Sequence, residues 1–200
     1  MREWWTYSLS DFLLFSPRTY YRLLQRYNEA VWPAQLLTLA FGVGILALLR
    51  RSSVRQGQII AGILALIWAW IAWGFLWQRY ATINWAISYV APGFVLEALV
   101  LLWWGGVRGR LRFQASQSLA GMLGIGLAVF GLLLYPLITP LSGRPWSQAE
   151  VFGIHPDPTA LGTLGLVLPT SGRWSWALLI IPMVWCILSG ATLLAMHLQP

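Results

Sequence analysis

Long apolar stretches separated by short polar connections dominate this chain. A bilayer core about 30 Å thick needs roughly 20 apolar residues to be crossed by a helix. The stretches that reach or approach this length are Trp32–Leu49, Gln58–Gln78, Trp85–Gly105, Gln117–Thr139 and Trp174–His197. The apolar stretch Thr159–Pro169 is too short for an ordinary crossing. The pattern predicts an all-α, polytopic transmembrane helix bundle that forms one domain over residues 1–200.

The short stretch Thr159–Pro169 leaves two topologies open. It is either a strongly embedded helix that completes a bundle of about six spans, or a re-entrant half-helix beside five spans. Asp157 followed by Pro158 is typical of a helix N-cap and first turn, so we expect a helix to begin there. Residues 140–158 before it form the longest loop between spans.

The segment before the first span, residues 1–31, predicts an amphipathic helix at the membrane interface. Ser16 can act as the N-cap, and Pro17 suits the first helical position. Arg18, Arg22 and Arg26 recur at every fourth residue, while tyrosine and leucine side chains occupy the other face. Anchoring at the interface is one interpretation, and a lid or platform for an anionic ligand is the other.

Composition excludes several classes of protein. With 58% hydrophobic and only 10% charged residues, the chain does not have the composition of a soluble domain. All 13 basic residues are arginine, which excludes a lysine Schiff base. The single cysteine, Cys186, excludes an intrachain disulfide and any site with several cysteine ligands for a metal. Because the arginines lie between apolar stretches, the basic charge indicates membrane topology and no nucleic-acid partner.

The arginines also predict the orientation. Residues 50–55 and 108–112 each contain three arginines and no acidic residue, so both connections are expected to face the cytoplasm. With six spans the N-terminus is then extracytoplasmic, as is the C-terminus. The re-entrant topology would place the C-terminus inside.

Any binding site is expected on the extracytoplasmic side, where residues 1–31, the Arg79–Trp85 turn and residues 140–158 would meet. Its polar rim for a small solute or ion would be Arg79, Glu150, His155 and Asp157. Arg79 either pairs with Glu150 or Asp157 or holds an anionic ligand. His155 and Glu150 alone are too few ligands for a metal, so we expect no metal site.

Two features inside the predicted spans are further candidates. Glu97 lies within the third span, where a carboxylate is costly; it is either a proton-coupling group or a protonated acid bonded to a neighbouring helix. Trp70, Trp73 and Trp77 share one helix face and would line an aromatic pocket, with packing or lipid contact as the alternative.

Catalytic patterns are missing from the sequence. It contains no HExxH, phosphate loop, CxxC or spaced nucleophile and base, so we predict no catalytic residue and no cofactor. An enzyme acting on lipid would require His155 and an acid to converge. Our interpretation therefore leans against an enzyme.

The sequence resembles a family of small, uncharacterised bacterial inner-membrane proteins whose members are sometimes labelled permeases. The resemblance is carried by these motifs: Trp4-Trp5-Thr6-Tyr7 with Leu9-Ser10-Asp11-Phe12, Trp32-Pro33-Ala34-Gln35, Gln78-Arg79-Tyr80 through Asn84-Trp85, and Glu150-Val151-Phe152-Gly153 with Pro156-Asp157-Pro158-Thr159. It implies a location in the bacterial inner membrane and assigns no ligand.

Two functional hypotheses remain. The first is a small membrane protein that binds or transports a small solute or ion at an extracytoplasmic site. The second is a structural or accessory subunit of a larger membrane complex. Besides the lipid bilayer, the expected partner is a second copy of the chain or that larger complex, because six helices are few for a complete transporter.

Overall fold

The computed structural model of the chain describes residues 14–114, 117–170 and 175–197, and every regular element within them is helical. The helices are α1 (Pro17–Val31), α2 (Ala34–Leu48), α3 (Val54–Trp70), α4 (Ile87–Val100), α5 (Leu119–Val129), α6 (Ile138–Leu141), α7 (Pro156–Val167) and α8 (Ala177–His197). Residues 1–13 of the predicted amphipathic segment lie outside the described residues.

Three helices continue beyond their α-helical part as π-helical segments. These segments are Ile71–Trp77 after α3, Leu101–Val107 after α4 and Phe130–Leu134 after α5. Short 3₁₀ turns follow at Tyr80–Thr82, Tyr135–Leu137 and Trp146–Gln148. Such π-helical turns close i→i+5 instead of i→i+4 hydrogen bonds and are frequent near functional sites.

The architecture fits a membrane protein. In the described part of the chain, four continuous helical stretches are long and apolar enough to cross a membrane. They are Val54–Thr82, Ile87–Val107, Leu119–Leu141 and Ala177–His197. Helices α1 and α2 meet the same criterion only as a pair, and they are bent by 87° relative to each other. The 12-residue α7 is too short to be counted, so the number of six spans stays a prediction.

Helix α7 is buried among the longer helices. It packs against α5 through glycines: Gly131 faces Gly162, and Gly124 faces Gly165. Because the earlier residue of α7 meets the later residue of the α5 stretch, the two helices run antiparallel. Glycine at these positions allows the two backbones to approach closely. This close contact holds α7 in place although its apolar residues do not form one distinct face.

The centre of the core is aromatic. The ring of Phe94 lies 4.6 Å from that of Trp68 and 5.0 Å from that of Trp185, measured between ring centroids. Trp68 also donates from Nε1 to Oγ1 of Thr163 at 3.0 Å, which ties α3 to α7. These contacts join α3, α4, α7 and α8 into one core.

The two ends of the bundle differ. We call the end covered by α1 and residues 142–155 the capped end, because Asn28 of α1 bonds to the carbonyl of Ser147 there. The two arginine-bearing connections meet at the opposite end, where Ser52 bonds to Gln114 at 3.3 Å and Gln56 donates to the carbonyl of Phe113 at 2.8 Å.

Candidate functional site

Helix α1 has the two faces that its sequence predicts. Ser16 caps it by accepting a hydrogen bond from the backbone N–H of Thr19, and Pro17 is its first residue. Tyr20, Leu24, Tyr27 and Asn28 are buried against the bundle, whereas all three arginines of the helix are exposed. Since α1 lies nearly at right angles to α2, it covers the capped end instead of extending the span.

Buried polar side chains fix α1 in this position. The Asn28 side chain donates to the carbonyls of Ser147 and Ala149, at 3.0 and 2.8 Å. Gln35 of α2 donates in turn to the backbone carbonyl of Asn28 at 2.8 Å. These bonds hold α1, α2 and the 142–155 loop together, so the segments that the sequence places on one side do meet.

A cavity of about 400 Å³ lies between α1 and the turn that follows α3. We call it the arginine cavity, and its lining residues are Thr19, Arg22, Leu23, Arg26, Tyr27, Gln78, Arg79, Thr82 and Ile83. Three of these are arginines and none is acidic. In the described segments, none of the three arginines forms an ion pair. Among the described residues, the cavity therefore presents concentrated positive charge without a counterion.

Arg79 is held rigidly at the base of this cavity. Its Nη1 donates to the carbonyl of Gly74 at 2.7 Å, and its guanidinium lies 4.7 Å above the ring centroid of Tyr27. The predicted ion pair with Glu150 or Asp157 is not formed. The guanidinium is satisfied on one side by backbone and ring, which leaves its other donors available to the cavity.

Glu150 lies beneath α1 and is only 7% exposed. The Tyr20 hydroxyl donates to its Oε1 at 3.1 Å. Burial, and after it the nearby charge of Asp157, raises the pKa of Glu150 to about 8. The carboxyl is therefore expected to be largely protonated at neutral pH, which suits a helix-anchoring acceptor and does not suit an exposed rim.

Asp157 accepts three hydrogen bonds from two neighbouring helical stretches. Trp185 Nε1 donates to Oδ1 at 2.7 Å, Ser189 Oγ to Oδ2 at 2.6 Å, and the Tyr135 hydroxyl to Oδ2 at 3.4 Å. The prediction that Asp157 is the N-cap is wrong, because α7 begins at Pro156 and its N-cap is His155. Asp157 lines a separate cavity of about 160 Å³ beside Cys186.

His155 is completely buried. Its Nδ1 accepts the backbone N–H of Val151 at 3.1 Å, so the neutral ring carries its proton on Nε2. The ring meets those of Tyr27 and Phe75 edge to face, at centroid distances of 5.6 and 5.3 Å. Burial lowers the pKa of His155 to about 3, so it is neutral at physiological pH. In this position it packs the capped end and is not part of an open rim.

The remaining candidates are dispersed. Glu97 is buried, and one of its carboxylate oxygens has no hydrogen-bond partner among the described residues. Trp70, Trp73 and Trp77 are 46%, 60% and 47% exposed. They form a stripe on the outside of the α3 stretch, and this placement does not support the predicted enclosed aromatic pocket.

The predicted rim therefore separates into an arginine cavity and a buried polar layer beneath α1. The sequence leaves open that Arg22 and Arg26 belong to a platform for an anionic ligand, but the predicted polar rim names only Arg79 among the arginines. Their i, i+4 spacing on α1 was the available signal, because it places both side chains on one exposed face of the helix. Sequence reasoning had missed the donors to the buried acids, Tyr20 and Tyr135, for which the sequence gives no local signal.

The fold defines a class, an all-helical protein with several helices of membrane-spanning length. Residues 18–199 match a family of unknown function, DUF6064, and the chain belongs to that family. No curated protein and no solved structure matches it.

Proposed function

We propose that this chain is an integral membrane protein that binds a small anionic solute or group in the arginine cavity at its capped end. The observation that carries the proposal is the composition of the lining, with Arg22, Arg26 and Arg79 around one opening and no acidic side chain among the described residues that line it. Binding of this ligand is also the step with which any transport would begin.

Electrostatics supports an anion over a neutral or cationic ligand. Three guanidinium groups that share one cavity repel each other, and the described chain supplies no counterion for them. An anion would relieve that repulsion and accept charge-assisted hydrogen bonds, which are roughly twice as strong as neutral ones. Arginine is well suited to this role because its planar group binds carboxylate or phosphate through two donors.

The cavity also has the dimensions of a binding site. Its volume of about 400 Å³ falls within the range of about 300–1,000 Å³ that is typical of small-molecule sites. Thr19, Gln78 and Thr82 add neutral polar groups to the lining, while Leu23 and Ile83 add apolar ones. Helix α1 would lie at the membrane interface, so a ligand could enter from the water or from the headgroup layer.

Calorimetric titration of the delipidated protein in detergent tests this proposal. Phosphate, sulfate and a dicarboxylate would serve as probes, at fixed ionic strength. We expect at least one of them to bind, and we expect Arg22→Gln, Arg26→Gln or Arg79→Gln to weaken binding by about tenfold, or about 1.4 kcal/mol.

Arg18→Gln is the matched control, because Arg18 is exposed on the same helix and does not line the arginine cavity. The affinity of the Arg18→Gln variant for each probe should equal that of the unmodified protein. The proposal is wrong if none of the probes or anionic lipids binds, or if Arg18→Gln weakens binding as much as Arg26→Gln does.

A further inference from the structure

The tryptophan stripe on the α3 stretch consists of Trp70, Trp73 and Trp77. Packing within the bundle does not account for these side chains, because about half of each one is exposed. Trp73, in its centre, is 60% exposed, and its ring centroid lies 6.3 Å from that of Trp77. Indole rings combine an apolar body with one N–H donor and are favoured where lipid headgroups meet acyl chains. A row of such rings along one helix provides an apolar track at the depth where lipids change from polar to apolar.

The stripe lies next to the arginine cavity, and the two meet at Gly74. Gly74 lies between them: its carbonyl accepts from Arg79, and a Cβ placed on it would lie 3.3 Å from the Trp70 ring. The same Cβ position is 3.5 Å from the hydroxyl of Tyr27, which lines the cavity. The guanidinium of Arg79 and the indole of Trp70 are therefore neighbours across a single glycine.

We infer that the ligand of the arginine cavity is an anionic phospholipid, with its phosphate held by the arginines and an acyl chain lying along the tryptophan stripe. This inference rests on the proposed function. A free anion would interact only with the charged groups of the cavity. The neighbouring stripe adds a surface that only a ligand with an apolar tail could cover.

The charges and surfaces of the site fit both parts of such a lipid. The negative charge of the phosphodiester would balance the positive charges of Arg22, Arg26 and Arg79. Its oxygens can accept pairs of hydrogen bonds from guanidinium groups. Leu23 and Ile83 in the lining would contact the upper part of the acyl chains. The exposed rings of Trp70 and Trp73 would then continue the apolar contact outside the cavity.

Native mass spectrometry of the delipidated protein in detergent, titrated with defined lipids, tests the inference. The probes are phosphatidylglycerol, phosphatidylcholine with the same tails, and soluble glycerol 3-phosphate. We expect phosphatidylglycerol to bind about tenfold more tightly than each of the other two. Arg26→Gln and Trp73→Ala should each weaken its binding by about fivefold or more.

Trp73 is chosen because its exposure makes its removal harmless to the fold. Trp146→Ala is the matched control, since Trp146 is also 60% exposed but lies in the 142–155 loop. That variant should bind phosphatidylglycerol as the unmodified protein does. A thermal unfolding curve for each variant confirms that the protein remains folded.

The outcomes separate the two proposals. If glycerol 3-phosphate binds as tightly as phosphatidylglycerol and Trp73→Ala has no effect, the lipid inference is wrong while the anion site stands. Equal binding of phosphatidylcholine also overturns the lipid inference, because charge would then not select the ligand. If Arg26→Gln leaves every affinity unchanged, both proposals are wrong.

Discussion

The indole Nε1 of Trp185 donates a 2.7 Å hydrogen bond to Oδ1 of Asp157, deep between α8 and α7. Ser189, one turn later on α8, donates to the other carboxylate oxygen at 2.6 Å. The short helix α7 is thus held by its first turn to a long neighbouring helix. A buried acceptor that loses such a donor is left with an uncompensated desolvation cost.

This relationship predicts that Trp185→Phe destabilises the protein. Phenylalanine retains most of the ring that packs on Phe94 but cannot donate to Asp157, so we expect a loss of about 1–3 kcal/mol in the free energy of unfolding. Denaturant or thermal unfolding in detergent measures it. Trp146→Phe removes an exposed indole and should change the stability little, and an equal loss in both variants would contradict the prediction.

The glycine contacts between α5 and α7 predict a difference between two alanine substitutions on one helical stretch. A Cβ on Gly131 would collide with the backbone of Gly162, whereas nothing lies within 4 Å of a Cβ on Gly126. Gly131→Ala should therefore cost about 1–3 kcal/mol through overpacking. Gly126→Ala should be neutral or stabilising by up to about 1 kcal/mol, because alanine favours helix.

Unfolding of the two variants under the same conditions checks this. If Gly131→Ala is as stable as Gly126→Ala, α7 does not lie against α5 as described.

The comparison of sequence and structure shows what local pattern can specify. The cap at Ser16, the two faces of α1 and the apolar helices follow from spacing and propensity within single segments. The positions of Glu150, His155 and Asp157 do not, because each depends on partners from distant segments such as Tyr20, 130 residues before Glu150. Polar residues in a loop suggest an exposed rim, but the structure buries residues 149–155 of this loop.

The arginine cavity was partly predictable for the same reason. Arg22 and Arg26 share a face through helical spacing alone. Their proximity to Arg79 depends on the bend of 87° between α1 and α2, and the spacing of residues within either helix does not specify such an angle. The exposed position of Trp73 is compatible with lipid contact, which the sequence left open as an alternative to a pocket.

The protonation state of Glu150 predicts a pH dependence of stability. Its pKa is raised from 4.5 to about 8 on folding, so the unfolded chain loses the proton at a lower pH than the folded protein does. The stability that Glu150 contributes is complete below about 4.5 and is lost as the pH rises to about 8. Above that value the contribution no longer changes.

Glu150→Gln should remove this dependence, because glutamine keeps an acceptor for Tyr20 but does not titrate. We expect the stability of the variant relative to the unmodified protein to rise between about pH 4.5 and about pH 8, by more than about 1 kcal/mol. Thermal unfolding across this pH range measures the difference. A constant difference at every pH would contradict the prediction.

The contacts of Asn28 predict how firmly α1 is held. Both protons of its side-chain amide are given to carbonyls of the 142–155 loop, at Ser147 and Ala149. Asn28→Asp keeps the shape of the side chain but places carboxylate oxygens against these carbonyls. The free energy needed to detach α1 from the bundle should therefore fall by about 2 kcal/mol or more. Trypsin cleavage at Arg22 and Arg26 reports the detached state and should accelerate about tenfold for each 1.4 kcal/mol.

Gln25→Glu makes the same chemical change on the same helix, where the side chain bonds only to Glu29 in the described structure, and it should leave the cleavage rate almost unchanged. Equal rates for the two variants would mean that Asn28 does not anchor the helix.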